Sequence, residues 1–324
     1  MGIKLGNTEM PNGLLLAPMA GYTDRAMRLV CHKYGAEFSV TEMVSAKAVV
    51  FNDKKTFALA KILPDEGPVS VQIFGSEPEI MAEAAHTLAN PKEGARPIAI
   101  DINMGCPVNK IFGNGEGSAL MKNPDLIFKI TKSVSSAIDI PTTVKIRSGV
   151  NKNSINAVEC ALAAEEGGAS LLCIHGRTRE QMYGGLADRE IMKNVKSALH
   201  IPVIANGDIL YGEDAISMIR DTNADGIAVG RGAVGNPFIF REILSAFKGE
   251  SYSEPTLEER IDIALLQLRI ATEEKGERIA IPEARKQIAL YLKSFRGAAR
   301  IRAEINRATT YHDVEKALKS ALTE

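Results

Sequence analysis

Short apolar runs alternate with amphipathic stretches from about residue 14 to residue 235. Each run is rich in β-branched residues and is followed by a loop with Gly or Pro, a pattern typical of parallel strands joined by helices. Continuous apolar character indicates strands buried on both faces. Eight such units predict an α/β fold of the (β/α)8 TIM barrel type, and a doubly wound sheet is the alternative. The runs lie at residues 14–21, 38–44, 69–75, 97–105, 141–149, 170–177, 201–208 and 226–232.

Amphipathic patterns between the runs predict helices at residues 77–89 and 154–166, the second with Ser154 as its N-cap. The pattern changes after Pro237. Residues 249–255 have the small, polar and Pro composition of a linker, and apolar residues then recur at helical spacing, as at Leu257, Ile261 and Leu268. We therefore predict a barrel catalytic domain at residues 1–249 and a small C-terminal helical domain at residues 250–324.

Composition narrows the class of protein. The 324 residues are 45% hydrophobic and 24% charged, as in an ordinary globular protein. A formal charge of −1 gives no general attraction to nucleic acid or anionic lipid, so any basic surface must be local. No apolar run reaches the roughly 18 residues that span a bilayer. The four cysteines include no CxxC pair, so we expect no metal site, and a cytoplasmic location is the simplest setting. We expect no membrane partner, and no protein partner is implied.

Polar residues close nearly every predicted strand. In a TIM barrel the carboxyl ends of the strands meet at one rim, where the reactive groups lie. A single polar residue in a strand is commonly a surface residue, but convergence of many on one rim favours a ligand site. The residues at these strand ends are Gln72, Asn103, Cys106, Lys145, Arg147, His175, Arg177, Asn206, Asp208, Gly230 and Arg231.

Two glycine-containing loops follow the last two strands. They read Asn206-Gly207-Asp208 and Gly230-Arg231. Glycine lets backbone N–H groups approach an anion, and an arginine adds a bidentate contact, as in the phosphate sites that barrels form there. The alternative is two ordinary glycine turns.

Cys106 differs from the other cysteines. Cys31, Cys160 and Cys173 lie within predicted helices or a strand and are interpreted as buried apolar residues. Cys106 stands between Gly105 and Pro107 at a strand exit, and a glycine-rich stretch at residues 113–117 follows. An ordinary thiol is mostly protonated at neutral pH, so Cys106 could serve as an acid or as a nucleophile.

The motifs together resemble one family. They are APMAGYTD (17–24), VQIFG (71–75), DINMGCP (101–107), KIR (145–147), HGRTREQMYGG (175–185), NGD (206–208) and GRG (230–232). Their order resembles that of the tRNA-dihydrouridine synthases, most closely the bacterial B type. The tail motif EARK (283–286) is similar to the family's helical RNA-binding domain. Two positions depart from the family pattern, with Arg189 where Trp is expected and Gln287 where His is expected.

The resemblance implies an FMN enzyme that uses NADPH or NADH to reduce the C5–C6 double bond of particular tRNA uridines to 5,6-dihydrouridine. Hydride would pass from reduced FMN to C6, and Cys106 would give the proton to C5. It implies flavin contacts at Pro18, Met19, Ala20, Gln72, Lys145, His175, Asn206, Gly207, Asp208, Gly230 and Arg231. It implies uracil contacts at Asn103, Arg147 and Tyr183, and tRNA contacts at Arg285, Lys286, Lys293 and Arg300.

Charge in the tail is consistent with an RNA partner. Residues 283–307 contain seven basic and two acidic residues, although such segments are often simple solvated helix faces.

Two alternatives to the function implied by the resemblance remain open. One is an FMN-dependent barrel oxidoreductase that acts on a free pyrimidine or another small molecule, and the other is a tRNA-binding module without catalysis.

Overall fold

The structure of the protein, a computed structural model, describes residues 2–293 and 295–323. Two short strands near the start of the chain form an antiparallel hairpin, and the remaining strands form one parallel sheet. The strands are β1 (Ile3–Leu5), β2 (Thr8–Met10), β3 (Leu14–Leu16), β4 (Phe38–Val40), β5 (Val44–Ser45), β6 (Val69–Phe74), β7 (Ile100–Asn103), β8 (Thr142–Arg147), β9 (Leu171–His175), β10 (Val203–Asn206) and β11 (Gly226–Val229).

The parallel sheet closes into a barrel. Each strand from β6 to β11 pairs with the next, β11 pairs with β3, β3 with β4, and β4 with β6. Each of the eight predicted apolar runs contains one of these barrel strands. The predicted (β/α)8 TIM barrel is therefore confirmed, and the doubly wound alternative is wrong.

The hairpin β1–β2 packs into one end of the barrel interior. Its inward residues Ile3, Leu5 and Met10 join a buried cluster with barrel residues such as Phe38 and Ile204. The hairpin fills the amino-terminal end of the barrel, because the interior of a TIM barrel is a packed core and not a pore. The hairpin is not predictable from the sequence, since three-residue strands are too short to show an alternating pattern.

Helices surround the barrel. They are α1 (Arg25–Lys33), α2 (Ala46–Val50), α3 (Lys54–Ala60), α4 (Pro78–Ala89), α5 (Asn109–Gly113), α6 (Pro124–Ala137), α7 (Ala157–Glu166), α8 (Arg189–Ala198), α9 (Gly212–Thr222) and α10 (Ile239–Lys248), with 3-10 turns at Gly117–Lys122 and Arg231–Ala233.

The predicted N-cap at Ser154 is wrong. Helix α7 begins at Ala157, with Asn156 at the N-cap position. The hydroxyl of Ser154 instead bonds to Asn151 Oδ1 at 3.1 Å within a local turn. Gly149 and Ile155 form an isolated β-bridge across this turn, which keeps the backbone extended up to the start of the helix.

The described residues after 249 form helices and 3-10 turns and contain no strand, which confirms the predicted helical end of the chain. Lys275 at the end of the first of these helices pairs with Asp24 at 2.7 Å, and Arg241 on the barrel pairs with Glu259 at 2.9 Å. The division between residues 249 and 250 stays a prediction. The elements are α11 (Leu257–Lys275), α12 (Glu277–Ile288), α13 (Ala298–Arg307) and α14 (Tyr311–Lys319), with 3-10 turns at Ala289–Leu292 and Ser320–Leu322.

Among the described residues, no helix combines the length and the apolar character needed to cross a membrane.

Candidate active site

A cleft of about 590 Å³ opens at the carboxyl ends of the barrel strands. Its volume is in the range of small-molecule and cofactor sites. All residues predicted to contact flavin or uracil line it, together with Cys106. They are Pro18, Met19, Ala20, Gln72, Asn103, Cys106, Lys145, Arg147, His175, Tyr183, Asn206, Gly207, Asp208, Gly230 and Arg231.

Cys106 is held in the cleft by its own backbone. Its N–H donates to Asn103 Oδ1 at 2.9 Å, and its carbonyl accepts from the hydroxyl of Ser118 at 2.7 Å. Gly117 allows this close packing, because a Cβ there would lie 3.0 Å from the Cβ of Cys106. The glycine-rich stretch is thereby anchored beside the thiol.

The thiol of Cys106 is neutral at physiological pH. Burial raises its pKa, and the opposing effects of the Val108 backbone N–H and the Arg147 charge do not reverse the shift. A protonated thiol is available as a proton donor and is a poor nucleophile. The structure thus favours the acid role of the two that the sequence left open.

The cation Lys145 and the neutral imidazole of His175 form the floor of the cleft. Lys145 Nζ donates to Asn206 Oδ1 at 2.9 Å, and Asn206 Nδ2 donates to the Ala228 carbonyl at 2.7 Å, which fixes the amide orientation. Burial, together with the charges of Lys145, Arg147 and other cations, lowers the pKa of His175 to about 2. The floor therefore carries positive charge without a charged histidine.

We expect His175 to make stability depend on pH. The unfolded chain binds a proton at this histidine below pH 6.5 and the folded protein does not, so stability is fully present above 6.5 and falls as pH falls. Relative to His175→Asn, the wild type should lose about 2 kcal/mol of unfolding free energy between about pH 6.5 and pH 5. Denaturant unfolding at the two pH values measures this. The exposed His86, changed to Asn, is the control, and parallel pH profiles for wild type and His175→Asn would refute the prediction.

Arg147, which is buried, holds two loops at the rim of the cleft. Its Nε donates to the Gly105 carbonyl at 2.8 Å, and its Nη1 donates to the carbonyls of Thr178 and Met182 at 3.0 Å each. Burial lowers its pKa to about 10, so the guanidinium stays charged at neutral pH. Arg147 thus joins the loop of Cys106 to the loop that carries Tyr183.

Arg177 binds the same Tyr183 loop and links it to Asp208. Its Nη2 donates to Asp208 Oδ1 at 2.7 Å and to the Gly185 carbonyl at 2.6 Å, and its Nε donates to the Gly184 carbonyl at 3.1 Å. The predicted flavin contact Asp208 is therefore engaged by a protein cation through its carboxylate.

Arg231 lines the cleft from the 3-10 turn that follows β11. Its side chain is half exposed, 3.5 Å from Asp208 Oδ1, and its guanidinium lies 4.8 Å from the centre of the Tyr183 ring. The N–H groups of the adjacent 3-10 turn and this cation suit an anion at the mouth. Gly207 next to Asp208 has φ +132° and a Cβ there would meet Ala187 at 2.6 Å, so the turn requires glycine.

The residues predicted to contact tRNA lie outside the cleft, on α12, the segment after it and α13. Lys286, Lys293 and Arg300 are exposed, and Arg300 pairs with Glu304 at 2.6 Å. Arg285 is only half-exposed and donates to the Ala308 carbonyl at 2.8 Å, at the C-terminal end of α13. Lys286 Nζ lies 4.4 Å from the ring centre of Tyr22, which lines the cleft.

The two departures from the family pattern have structural partners. Arg189 is the first residue of α8 and pairs with Asp221 at 2.5 Å. Gln287 is buried, accepts from Gln267 Nε2 at 2.8 Å and donates to the Gly21 carbonyl at 3.4 Å. Gln287 thus packs α12 against the barrel.

Several functional positions were missed from the sequence. Leu290 and Tyr22 line the cleft, so the helical end of the chain forms part of its wall. On the rim, Lys122 and Arg179 lie 4.5 and 4.0 Å from the ring centre of Phe112. Only the proximity of Phe112 to the Cys106 motif could have suggested this second basic group, since Phe112 and Lys122 lie in the loop after β7 and Arg179 lies in the loop after β9.

These features define a barrel with a cationic ligand cleft and a protonated thiol at the carboxyl ends of its strands, the place where TIM-barrel enzymes carry their active sites. A family model described as dihydrouridine synthase matches residues 15–324. The chain belongs to the dihydrouridine synthase family, a family of oxidoreductases.

Curated relatives agree over nearly the whole chain. A tRNA-dihydrouridine synthase B of Pseudomonas aeruginosa is 40% identical over 306 residues, covering 94% of this chain and 91% of the relative. One of Vibrio vulnificus is 40% identical over 305 residues, covering 94% of each. A probable tRNA-dihydrouridine synthase of Rickettsia conorii is 38% identical over 94% of this chain and 91% of its own length. The predicted resemblance to the B type is confirmed.

Solved structures share the barrel fold at low identity. A variant of NCR from Zymomonas mobilis aligns with a TM-score of 0.55 at 15% identity, over 80% of this chain and 94% of that one. Histamine dehydrogenase from Rhizobium aligns with a TM-score of 0.57 at 11% identity, over 88% of this chain and 50% of that one.

Proposed function

We propose that this protein is a flavin-dependent tRNA-dihydrouridine synthase of the cytoplasm that reduces the C5–C6 double bond of particular uridines in tRNA. The observation that carries the proposal is the protonated thiol of Cys106 in a cleft floored by Lys145 and His175. Reduction of a conjugated carbonyl compound requires a proton donor and a group that stabilises negative charge. The cleft contains both, in the thiol of Cys106 and the cationic floor.

The residues present fit FMN. The cation Arg231 and the glycine turns at Gly207 and Gly230 would hold the phosphate, while Asp208, whose carboxylate is engaged by Arg177, would contribute its backbone. Pro18, Met19, Ala20, Asn206 and the amide of Gln72 would contact the remainder of the group, beside Lys145 and His175. FMN, when bound, would supply the hydride for C6 of uracil, with NADPH or NADH as the source of electrons.

The chain's own residues would complete the reaction. Cys106 would give its proton to C5 of the uracil, and Lys145 would favour negative charge at the floor of the cleft. Tyr183, whose ring is exposed at the rim, would face the uracil. Arg147 donates to three backbone carbonyls, and Asn103 donates to Gln72 and accepts from the N–H groups of Gly105 and Cys106. We therefore propose that Asn103 and Arg147 mainly position the loops around the base.

A tRNA partner is supported by charge on two sides of the mouth. Lys286, Lys293 and Arg300 lie on the helical end of the chain, and Lys122 and Arg179 lie on the loops after β7 and β9. Phosphate contacts on both sides would grip the RNA that flanks a uridine, which must leave its stack to reach the cleft.

Dihydrouridine mapping tests the proposed function. We expect tRNA from cells that lack this protein to lose dihydrouridine at particular positions, and the purified protein with NADPH or NADH to restore it. Equal activity on free uridine or free pyrimidine bases would favour the small-molecule alternative, and no activity on either would favour an RNA-binding module. Truncation at residue 250 is not a clean test, because Leu290 forms part of the cleft wall.

We expect Arg231→Ala to weaken FMN retention. Loss of a bidentate cation at an anion site removes a charge-assisted contact, so the flavin dissociation constant should rise by about tenfold to a hundredfold, and the fold should stay intact. Flavin fluorescence on titration with FMN measures the constant. Arg220→Ala on α9 is the control for loss of an arginine, and an unchanged constant in Arg231→Ala would refute the phosphate assignment.

We expect the triple variant Lys286→Gln, Lys293→Gln and Arg300→Gln to weaken tRNA binding and to reduce its salt dependence. Removal of one phosphate interaction should lower the slope of log affinity against log salt by roughly one unit.

Binding measured at several salt concentrations gives the slope. Glutamine at Lys129, Lys132 and Lys193, which are exposed on α6 and α8, removes the same charge from the outside of the barrel as a control. Equal slopes for the two triple variants would show that tRNA binds elsewhere.

A further inference from the structure

A chain of buried hydrogen bonds leads from a carboxylate inside the barrel to the backbone of Cys106. Gln72 Nε2 donates to Asp101 Oδ2 at 2.6 Å, and Asn103 Nδ2 donates to Gln72 Oε1 at 2.9 Å. Asn103 Oδ1 accepts from the backbone N–H groups of Gly105 at 3.1 Å and Cys106 at 2.9 Å. All three side chains are at least nine-tenths buried.

The direction of each bond is determined from both ends. Backbone N–H groups can only donate, so Oδ1 of Asn103 must face Cys106 and its NH2 group must face Gln72. Gln72 must then turn its oxygen to Asn103 and its NH2 group to Asp101. The Asp101 oxygen that faces Gln72 accepts from this NH2 group, which agrees with the same orientation.

The other carboxylate oxygen is also occupied. The Thr143 hydroxyl donates to Asp101 Oδ1. Burial raises the pKa of Asp101, while the bonds from Thr143 and Gln72 and the charge of Lys145 oppose that effect. Asp101 therefore serves neither as a ligand group nor as a surface charge, and the network is the only role that its described contacts give it.

We propose that Asp101 is a positioning residue, which makes Gln72 and Asn103 present N–H donors to the cleft and holds the backbone of Cys106 in place. An amide nitrogen carries two N–H groups, and the network uses one from each residue. Because both residues line the cleft, the second N–H of each serves a ligand edge that carries acceptors. A carbonyl or ring-nitrogen edge of a flavin or pyrimidine has this chemistry. This last step rests on the proposed function, and the positioning of Cys106 does not.

An exchange of the two end groups tests the proposal. In Gln72→Glu the new carboxylate at position 72 would face the Asp101 carboxylate across the position of the present 2.6 Å hydrogen bond between Gln72 and Asp101. The two carboxylates would need to share a proton. In the double variant Gln72→Glu with Asp101→Asn, the new amide would donate to Glu at position 72 and accept from Thr143. The double variant has the charge of the wild type and keeps the acceptor for Asn103, but it offers no N–H at position 72.

Stability is the first readout. The shared proton raises the folded-state pKa in Gln72→Glu, so its stability is present at low pH and is lost as pH rises. Relative to wild type, its unfolding constant should rise by up to about tenfold per pH unit between about pH 6 and pH 9. The double variant should stay within about threefold of wild type over this range.

Alkylation of Cys106 by iodoacetamide, followed by peptide mass mapping, is the second readout. Gln72→Glu should change the rate at Cys106 by at least about threefold, and the double variant should return within about twofold of wild type. Gln267→Glu is the matched control, because Gln267 is equally buried but lies on α11. It should lose stability as pH rises, and it should neither change alkylation at Cys106 nor be rescued by Asp101→Asn.

The flavin provides the third readout. The double variant should bind FMN with a midpoint potential more negative than that of wild type, because an acceptor replaces the donor at position 72. Failure of Asp101→Asn to rescue either stability or alkylation would overturn the positioning of Cys106. An unchanged potential would overturn the donor assignment alone. Absence of bound flavin in the wild type would instead contradict the proposed function and would leave the first two readouts decisive.

Discussion

Replacing Cys106 with alanine is expected to lower dihydrouridine formation in tRNA by about 10²–10⁴-fold, the contribution of a well-placed general acid. The thiol is buried, its pKa is raised, and its backbone is fixed by Asn103 and Ser118, so it is placed to give a proton within the cleft. Alanine removes the thiol and leaves those backbone bonds in place.

The two halves of the reaction separate in this variant. FMN should remain bound and should be reduced by NADPH at the wild-type rate, since neither step needs the thiol. Stopped-flow absorbance should then show slow reoxidation when tRNA is added. Cys31→Ala removes a buried thiol outside the cleft and should leave reoxidation fast. Fast reoxidation in Cys106→Ala would mean that the proton comes from water or another side chain.

The barrel was predictable because its strands are buried on both faces and read as continuous apolar runs. The run at 69–75 became β6, and the run at 141–149 became β8. The hairpin β1–β2 and the start of α7 were not predictable in this way. A three-residue strand shows no period, and the bridge between Gly149 and Ile155 depends on contacts across a loop.

The cleft was predictable because parallel strands bring their carboxyl ends to one rim. Gln72, Asn103 and Lys145 could be assigned to it from their place in the runs. Asp101 could not be assigned a role, because a residue two positions before Asn103 reads simply as part of the strand. Its role depends on Gln72, which lies 29 residues away on a neighbouring strand.

The tail shows the limit of reasoning from charge. Seven cations near the end of the chain predicted an RNA surface, but charge does not indicate where a side chain points. Arg285 turns to the end of α13, while Lys286 lies on Tyr22. Leu290 enters the cleft wall because α12 packs against the barrel through Gln287, a contact that only the three-dimensional structure reveals.

The second large effect is expected at Arg177, whose side chain is only 2% exposed. Replacement by methionine nearly keeps the volume, but it leaves two loop carbonyls without this donor and removes the nearest cation of the Asp208 carboxylate, which keeps the Ala187 N–H. Removing one partner of a buried ion pair costs about 3–5 kcal/mol, and Asp208 is partly exposed, so we expect about 3 kcal/mol at pH 7. Denaturant unfolding measures this effect.

Arg28 offers a matched control, because it is as buried as Arg177 and its Nη2 lies 2.6 Å from Glu66 Oε2. Neither Arg28 nor Glu66 lines the cleft. Arg28→Met should cost at least as much free energy of unfolding, because Glu66 is fully buried, and it should leave flavin affinity unchanged in the folded protein. Arg177→Met should also weaken flavin binding, because Asp208 and the Tyr183 loop lose their common anchor.

Adding Asp208→Asn to Arg177→Met removes the carboxylate charge that has lost Arg177, so the double variant should be more stable than the sum of the single effects by about 1 kcal/mol or more. Strict additivity of the two substitutions would mean that the pair of Arg177 and Asp208 does not contribute to stability. If Arg177→Met bound flavin as tightly as Arg28→Met does, Arg177 would not organise the cleft.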